Sequence, residues 1–343
     1  VKLKRASPQF SLPLNPFLSP EDFQGIYLPF VKKYQHLIGD IYFTCRIPPF
    51  DQDAMGAMVA EQDREKLIKQ ALYLQQETGI PVLPVFNHPS ISPATENLQL
   101  FIKNFKPLYK QGIRCMTMVQ AHWVGTLKQH FPECKIKSSL MRPVSNAQNL
   151  VDFALLGFDV IQVDRNLMRN QIELKSMAKA RQYLKEKRGI EVDLCLLANE
   201  QCRGLCPVQH EHYLYNVQRK GENSLPYMFS SLCKEVSCNA WKDRDAAYRL
   251  KTCNLPPWKE NWDDILQYVQ SFKLHGRDDI NTLMNSMRII KNYHQGLATL
   301  DEEKDDFFAS YQISERKKEQ WLKTIANCRT QCWQCNLCDT LVS

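Results

Sequence analysis

Four cysteines crowd the C-terminal end of this chain at the spacing Cys328-x3-Cys332-x2-Cys335-x2-Cys338. Thiolates gathered so closely form the ligand sets of iron–sulfur clusters and of structural zinc. Four sulfur ligands serve either, so the spacing predicts metal and leaves open a 4Fe-4S cluster or zinc. A second group begins at Asn199-Glu200-Gln201-Cys202-Arg203-Gly204-Leu205-Cys206-Pro207, continues through His210 and His212, and adds Cys233, Cys238 and Cys253. Cys202 and Cys206, joined by Cys233 and Cys238, are its expected ligands, with Cys253 and Cys195 as rivals for a place in the set. Cys195 lies in an apolar stretch where burial as a small hydrophobe is the ordinary reading, and the lone Cys115 and Cys134 read as structural. His210 and His212 are either ligands and proton donors or simply loop residues that hydrogen-bond locally.

Composition narrows the setting for this chemistry. The 343 residues include 13 cysteines, an odd number clustered at short spacings. The basic start Val1-Lys2-Leu3-Lys4-Arg5 is followed by no apolar signal core. Together these features predict metal or redox chemistry in a reducing, cytoplasmic compartment rather than an extracellular disulfide framework. With 44% hydrophobic and 24% charged residues the chain is globular in composition, not disordered, collagenous or coiled-coil. No run approaches the roughly 18 uncharged apolar residues of a membrane span, so no membrane partner is expected. The net charge of +7 is a mild excess, compatible with a small anionic substrate or RNA but too weak and dispersed to argue for either. RNA is compatible with that excess but not indicated, because no Lys/Arg stripe accompanies the tail cysteines.

The elements that must position these groups read as an alternation of strand and helix. Short apolar runs at 41–44, 82–86, 113–119, 136–140, 160–163, 192–198 and 272–275 are bounded by polar or turn residues, as buried parallel strands are. Between them, Leu98, Phe101, Ile102 and Phe105 fall on one helical face, as do Ala147, Leu150, Val151 and Ala154, with Ser145 as the expected N-cap of the latter helix. Leu283, Met287 and Ile290 mark another helix, capped by Asp278 or Asp279. Seven strands with one missed fit a (β/α)8 TIM-like barrel. The expected organisation is an N-terminal segment over 1–39 and a barrel over 40–298. A cysteine-rich insertion at about 199–262 follows the sixth strand, and a helical, cysteine-rich extension occupies 299–343. Its Lys- and Glu-rich stretch at about 302–328 reads as a solvated face.

A barrel of this kind does its chemistry at the C-terminal ends of its strands. The residues there are polar: Cys45 and Arg46, Asn87 and His88, Gln120 and His122, Arg142, Asp164 with Arg165 and Asn166, Asn199 with Glu200, and His275 with Arg277. Any one of them alone would read as a cap or a solvated loop residue. As a ring they could hold a small anion, since guanidinium groups grip carboxylates bidentately. Asp164 and His275 are the candidate acid and base. Arg165 and Arg277 are the candidate carboxylate or phosphate clamps, with Asn87, His122 and Glu200 as further substrate-binding candidates.

Two stretches resemble a known family. Asn199 to Tyr213, with its Asn-Glu-x-Cys-x3-Cys-Pro run followed by histidines and aromatics, is similar to the cysteine motif of peptidase family U32. Phe272-Lys273-Leu274-His275-Gly276-Arg277, followed by a helix containing Asn292-Tyr293, resembles the family's Lys-hydrophobic-x-Gly-Arg strand end, with His275 where the family has an acidic or small residue. The tail is similar to that of a U32-like subgroup. The resemblance implies a TIM-like barrel holding a 4Fe-4S cluster on four cysteines. It also implies oxygen-independent hydroxylation of a small molecule or an RNA, with prephenate as the oxygen-supplying co-substrate and a second U32-like protein as a partner subunit. The competing readings are a peptidase, for which no Gly-x-Ser-x-Gly or His-Glu-x-x-His motif is present, and a zinc or iron–sulfur scaffold without catalysis.

Overall fold

The eight strands are Gln9–Pro13 (β1), Ile38–Thr44 (β2), Val82–Phe86 (β3), Cys115–Met118 (β4), Lys135–Ser138 (β5), Val160–Val163 (β6), Asp193–Leu197 (β7) and Ser271–Lys273 (β8). In this computed structural model they pair in sequence order, all parallel, and β1 closes the sheet on β8 to make a barrel. The described residues are 8–51, 61–88, 90–199, 209–210, 213–214, 259–277, 279–297, 308, 312–325, 328, 331 and 334–342.

Two expectations need correction. The barrel does not begin at residue 40: β1 lies inside the segment assigned to 1–39, where Phe10, Ser11 and Leu12 are all buried. Its five residues alternate polar and apolar and end in proline, so they lack the continuous apolar run that marks buried parallel strands. With β1 counted, the strand leading into Asn199 is the seventh, and the cysteine-rich stretch follows it rather than the sixth. Residues 200–208 and 215–258 of that stretch lie outside the described residues.

Helices cover the outside of the barrel. They are Leu28–Tyr34 (α1), Glu61–Thr78 (α2), Thr95–Lys110 (α3), Val124–His130 (α4), Ala147–Leu155 (α5), Gln171–Arg188 (α6), Lys259–Ile265 (α7) and Ile280–Gln295 (α8). The apolar face of α3 seats Phe101 against Phe86 of β3 with ring centroids 4.8 Å apart, and Trp262 of α7 meets Phe272 of β8 edge-on at 4.2 Å. Burying an aromatic of this size is worth roughly 1.5–3 kcal/mol, so these pairs fix each helix on its strand. The cap of α5 is Asn146, not Ser145, its side chain accepting from the Asn149 amide at 2.9 Å. Asp279 caps α8, accepting from the Thr282 amide at 2.7 Å.

The lumen has a different composition. Outward positions on the strands are mostly apolar, but the alternate, inward positions include Ser11, Asp40, Tyr42, Thr117, Lys137, Gln162, Cys195 and Lys273. Lys137 of β5 reaches Asp40 of β2 at 3.1 Å and Ser11 of β1 at 3.3 Å. Strands that are not neighbours in a closed sheet touch only through its interior, so this contact places all three side chains inside the barrel.

Beyond the barrel, Glu315–Ile325 (α9) and Leu337–Val342 (α10) form a separate small core of Phe308, Ile313, Trp321, Leu322, Ile325 and Leu341. The stretch read as a solvated face thus has one apolar side. Among the described residues no helix is long and apolar enough to cross a membrane.

Candidate functional site

Where β8 ends, the backbone makes a turn that the motif residues explain. Gly276 has φ +128°, and a Cβ there would stand 2.6 Å from the backbone of Leu283, so the strand end lies directly against the first turn of α8. Only glycine combines that torsion with that approach. The buried Asn15 side chain fixes the same turn, donating to the Gly276 carbonyl at 2.8 Å. Asn199, at the end of β7, ties the neighbouring strand in: its side-chain oxygen accepts from the His275 amide at 2.6 Å, and its amide group donates to Ser286 of α8 at 2.8 Å. The Ser286 hydroxyl then donates to the His275 carbonyl at 2.5 Å. These bonds hold His275 and Arg277 at the mouth.

There they border a cavity that opens to solvent. Asn87, Ser139, Met141, Arg165, His275 and Arg277 come to it from the loops after β3, β5, β6 and β8, and Tyr213 comes from the segment after β7. Deeper in, Tyr42, Val85, Thr117, Leu197 and Lys273 line it from the strands themselves. Arg165 and Arg277 are 1% and 7% exposed, so the pocket carries two nearly buried guanidinium groups. Arg165 donates to the Tyr213 hydroxyl at 2.9 Å, which holds that side chain on the pocket wall.

Lys273 adds a third cation. Its Nζ sits 4.3 Å from the centroid of the Tyr42 ring, whose hydroxyl donates to the Leu274 carbonyl at 2.6 Å. Burial, reinforced by repulsion from Arg277 and Lys137, lowers the Lys273 pKa to about 7, against the attraction of Cys195 and Asp40. Lys137 goes the other way. Burial would lower it, but the Asp40 carboxylate and Cys195 outweigh burial and hold it above the ordinary lysine value. One lumen therefore contains a paired, charged lysine and, toward the mouth, a lysine whose charge is disfavoured. Thr117, 2% exposed and on the pocket wall, has a hydroxyl without a hydrogen-bond partner among the described residues.

Of the residues singled out from sequence, Asn87, Arg165, His275 and Arg277 are brought together on this pocket. Asp164 is fully buried but caps the turn Arg165–Arg169, accepting from the Asn166 amide at 3.0 Å, and is not part of the lining. His122 is exposed, its ring 3.2 Å from the Pro93 carbonyl, and also lies off the pocket. Glu200, Cys202, Cys206, His212, Cys233, Cys238, Cys253 and Cys332 lie outside the described residues. In the tail, Cys328 and Cys338 are half-buried and Cys335 is exposed. Among the described residues, no three His, Cys, Asp or Glu side chains are grouped to hold a metal ion. Cys195 faces the lumen beside Lys137 rather than the loop. Burial pushes both Cys115 and Cys134 up to about 12, so they are protonated and unreactive.

The sequence reading missed Tyr42 and Thr117, and it quoted Lys273 and Tyr213 within motifs without giving them a role in the site. A signal was present for Lys273: a lysine between Phe272 and Leu274 in a strand buried on both faces must point either into a helix layer or into the lumen.

No family model matches the chain, and no curated protein matches it. Among solved structures it is similar to the U32 peptidase Mk0906, with 10% identity and a TM-score of 0.49, over 80% of this chain and 96% of that one. It is also similar to an enolase protein from Sargasso Sea environmental sequencing, with 11% identity and a TM-score of 0.34 over 56% and 48% of the two chains. A third likeness is to type I 3-dehydroquinate dehydratase from Clostridium difficile, with 13% identity and a TM-score of 0.35 over 58% and 78%. The barrel assignment rests on the strand pairing itself.

Proposed function

We propose that this chain is a barrel enzyme of the U32-like type that binds a small carboxylate at its C-terminal mouth and modifies a substrate there without oxygen, using an iron–sulfur cluster. The observation that carries the reading is the convergence of Arg165, Arg277, Lys273, Asn87 and His275 on one pocket. Two guanidinium groups and a lysine among hydrogen-bond donors suit a carboxylate-bearing substrate, because each guanidinium can make two parallel charge-assisted bonds. The cysteine motif is close in sequence to two residues of this mouth: Cys202 follows Asn199 by three residues, and Cys206 precedes Tyr213 by seven.

Cys202, Cys206, Cys233 and Cys238 would hold that cluster, and Cys328, Cys332, Cys335 and Cys338 a second one or zinc. All-thiolate donors at these spacings fit either group. When bound, the cluster supplies one-electron transfer. The remaining work falls to the chain's own side chains. Arg165 and Arg277 bind and orient the carboxylate, and Asn87 donates or accepts beside them. His275, at the pocket edge with its backbone locked on both sides by Asn199 and Ser286, is placed to hold or move a proton. A six-carbon-ring carboxylate such as prephenate, an RNA substrate and a second U32-like subunit remain proposals of the family resemblance.

Binding of succinate to the anaerobically purified protein, followed by calorimetry, tests the clamp. A charge-assisted hydrogen bond is worth about 1.5–3 kcal/mol, so Arg277→Gln is expected to weaken succinate about ten-fold or more. Unchanged affinity in both Arg277→Gln and Arg165→Gln would refute the assignment.

A further inference from the structure

Lysine is seldom placed inside a barrel without a carboxylate partner. Lys137 has Asp40 at 3.1 Å, whereas Lys273 has the face of an aromatic ring and two like charges, Lys137 below it and Arg277 toward the mouth. The pocket reaches down to it, and the hydroxyl of the buried Thr117, unpartnered among the described residues, lines the same cavity. A structural lysine would be expected to sit on the counter-ion already in the lumen. This one is desolvated, open to the cavity and placed below two guanidinium groups.

Resting on the carboxylate-pocket reading above, we propose that Lys273 captures the carbonyl carbon of a small oxo acid as a covalent imine while Arg165 and Arg277 hold its carboxylate. The neutral Nζ attacks the carbonyl carbon, a C–N bond forms, and the carbonyl oxygen takes up the proton lost from nitrogen to give a carbinolamine. Loss of that oxygen as water leaves the imine, so the step consumes no oxidant or reductant. Burial supports it by lowering the amine's pKa to about 7, so that about half of it is neutral at neutral pH, where a free lysine would be charged. The groups facing Nζ are Asp40 and Tyr42 on β2, Lys137 on β5, Cys195 on β7 and Arg277 beyond β8. Of these, Asp40 is already engaged by Lys137. The hydroxyl of Thr117 is available to the oxygen of the carbinolamine.

The test is borohydride reduction of the anaerobically purified protein in the presence of pyruvate, with peptide mapping by mass spectrometry. Hydride and a solvent proton convert the imine to a stable secondary amine, adding the mass of pyruvate less one oxygen atom. The expected result is a single adduct on Lys273, lost in Lys273→Met. The map of the unaltered protein decides the matter even if that variant fails to fold. Binding of lactate, which has the same carboxylate and no carbonyl, is measured in parallel. Lactate binding without an adduct, or adducts on other lysines with Lys273 unmodified, would overturn the imine and leave the carboxylate pocket standing. Absence of both adduct and lactate binding would overturn both.

Discussion

Replacing Lys273 by Met should make this protein more stable, and by an amount that depends on pH. The folded-state pKa of about 7 lies below the ordinary lysine value of 10.5, so the folded protein resists a proton that the unfolded chain accepts. At 1.36 kcal/mol per unit, that difference amounts to about 5 kcal/mol of destabilisation when both states are protonated, below about pH 7. The cost fades as pH rises, because the folded form has released its proton while the unfolded form still binds one. Between about pH 6 and pH 9 the wild-type chain should recover about 2–3 kcal/mol relative to Lys273→Met. Loss of the ammonium from the Tyr42 ring offsets about 1 kcal/mol of the gain at low pH. Urea unfolding of both proteins at the two pH values measures the difference. A stability gap that does not narrow with rising pH would mean that Lys273 titrates like an exposed lysine, and the electrostatic picture of the lumen would be wrong.

Other substitutions probe the parts that hold the site. Gly276→Ala must place a Cβ against the Leu283 backbone at a positive φ, and should cost about 2–4 kcal/mol in urea unfolding while weakening carboxylate binding through displaced Arg277. Lys137→Met strands the Asp40 carboxylate beside Ser11 and should cost about 3–5 kcal/mol, whereas the double variant Lys137→Met, Asp40→Leu should recover most of that loss. If the double variant is no better than the single one, the pair is not coupled. Asp279→Ala removes the cap of α8 and should cost about 1 kcal/mol.

The barrel was legible because buried parallel strands read as apolar runs, and those at 82–86 and 160–163 coincide with β3 and β6. Strand β1 was not, because its polar positions face the lumen and break the run. The same physics hid the deep half of the site. Ser11, Asp40, Lys137 and Lys273 look misplaced in apolar strands until closure of the sheet brings them together, and no local pattern encodes which strands face across a barrel. The outer half of the site was easier, since Arg165, Arg277, Asn87 and His275 sit directly after strands where barrel chemistry belongs. Position along the chain does not fix direction, however: Asp164 and His122 occupy equivalent places, yet one caps a turn and the other lies on the surface.

The most direct test of the proposed chemistry is iron and acid-labile sulfide per chain after anaerobic purification, with zinc measured alongside. The expected result is at least about four iron and four sulfide, with one set of about four lost in both Cys202→Ser and Cys206→Ser. Zinc alone, without sulfide or cluster absorption, would contradict the iron–sulfur reading and leave a carboxylate-binding barrel with a zinc site.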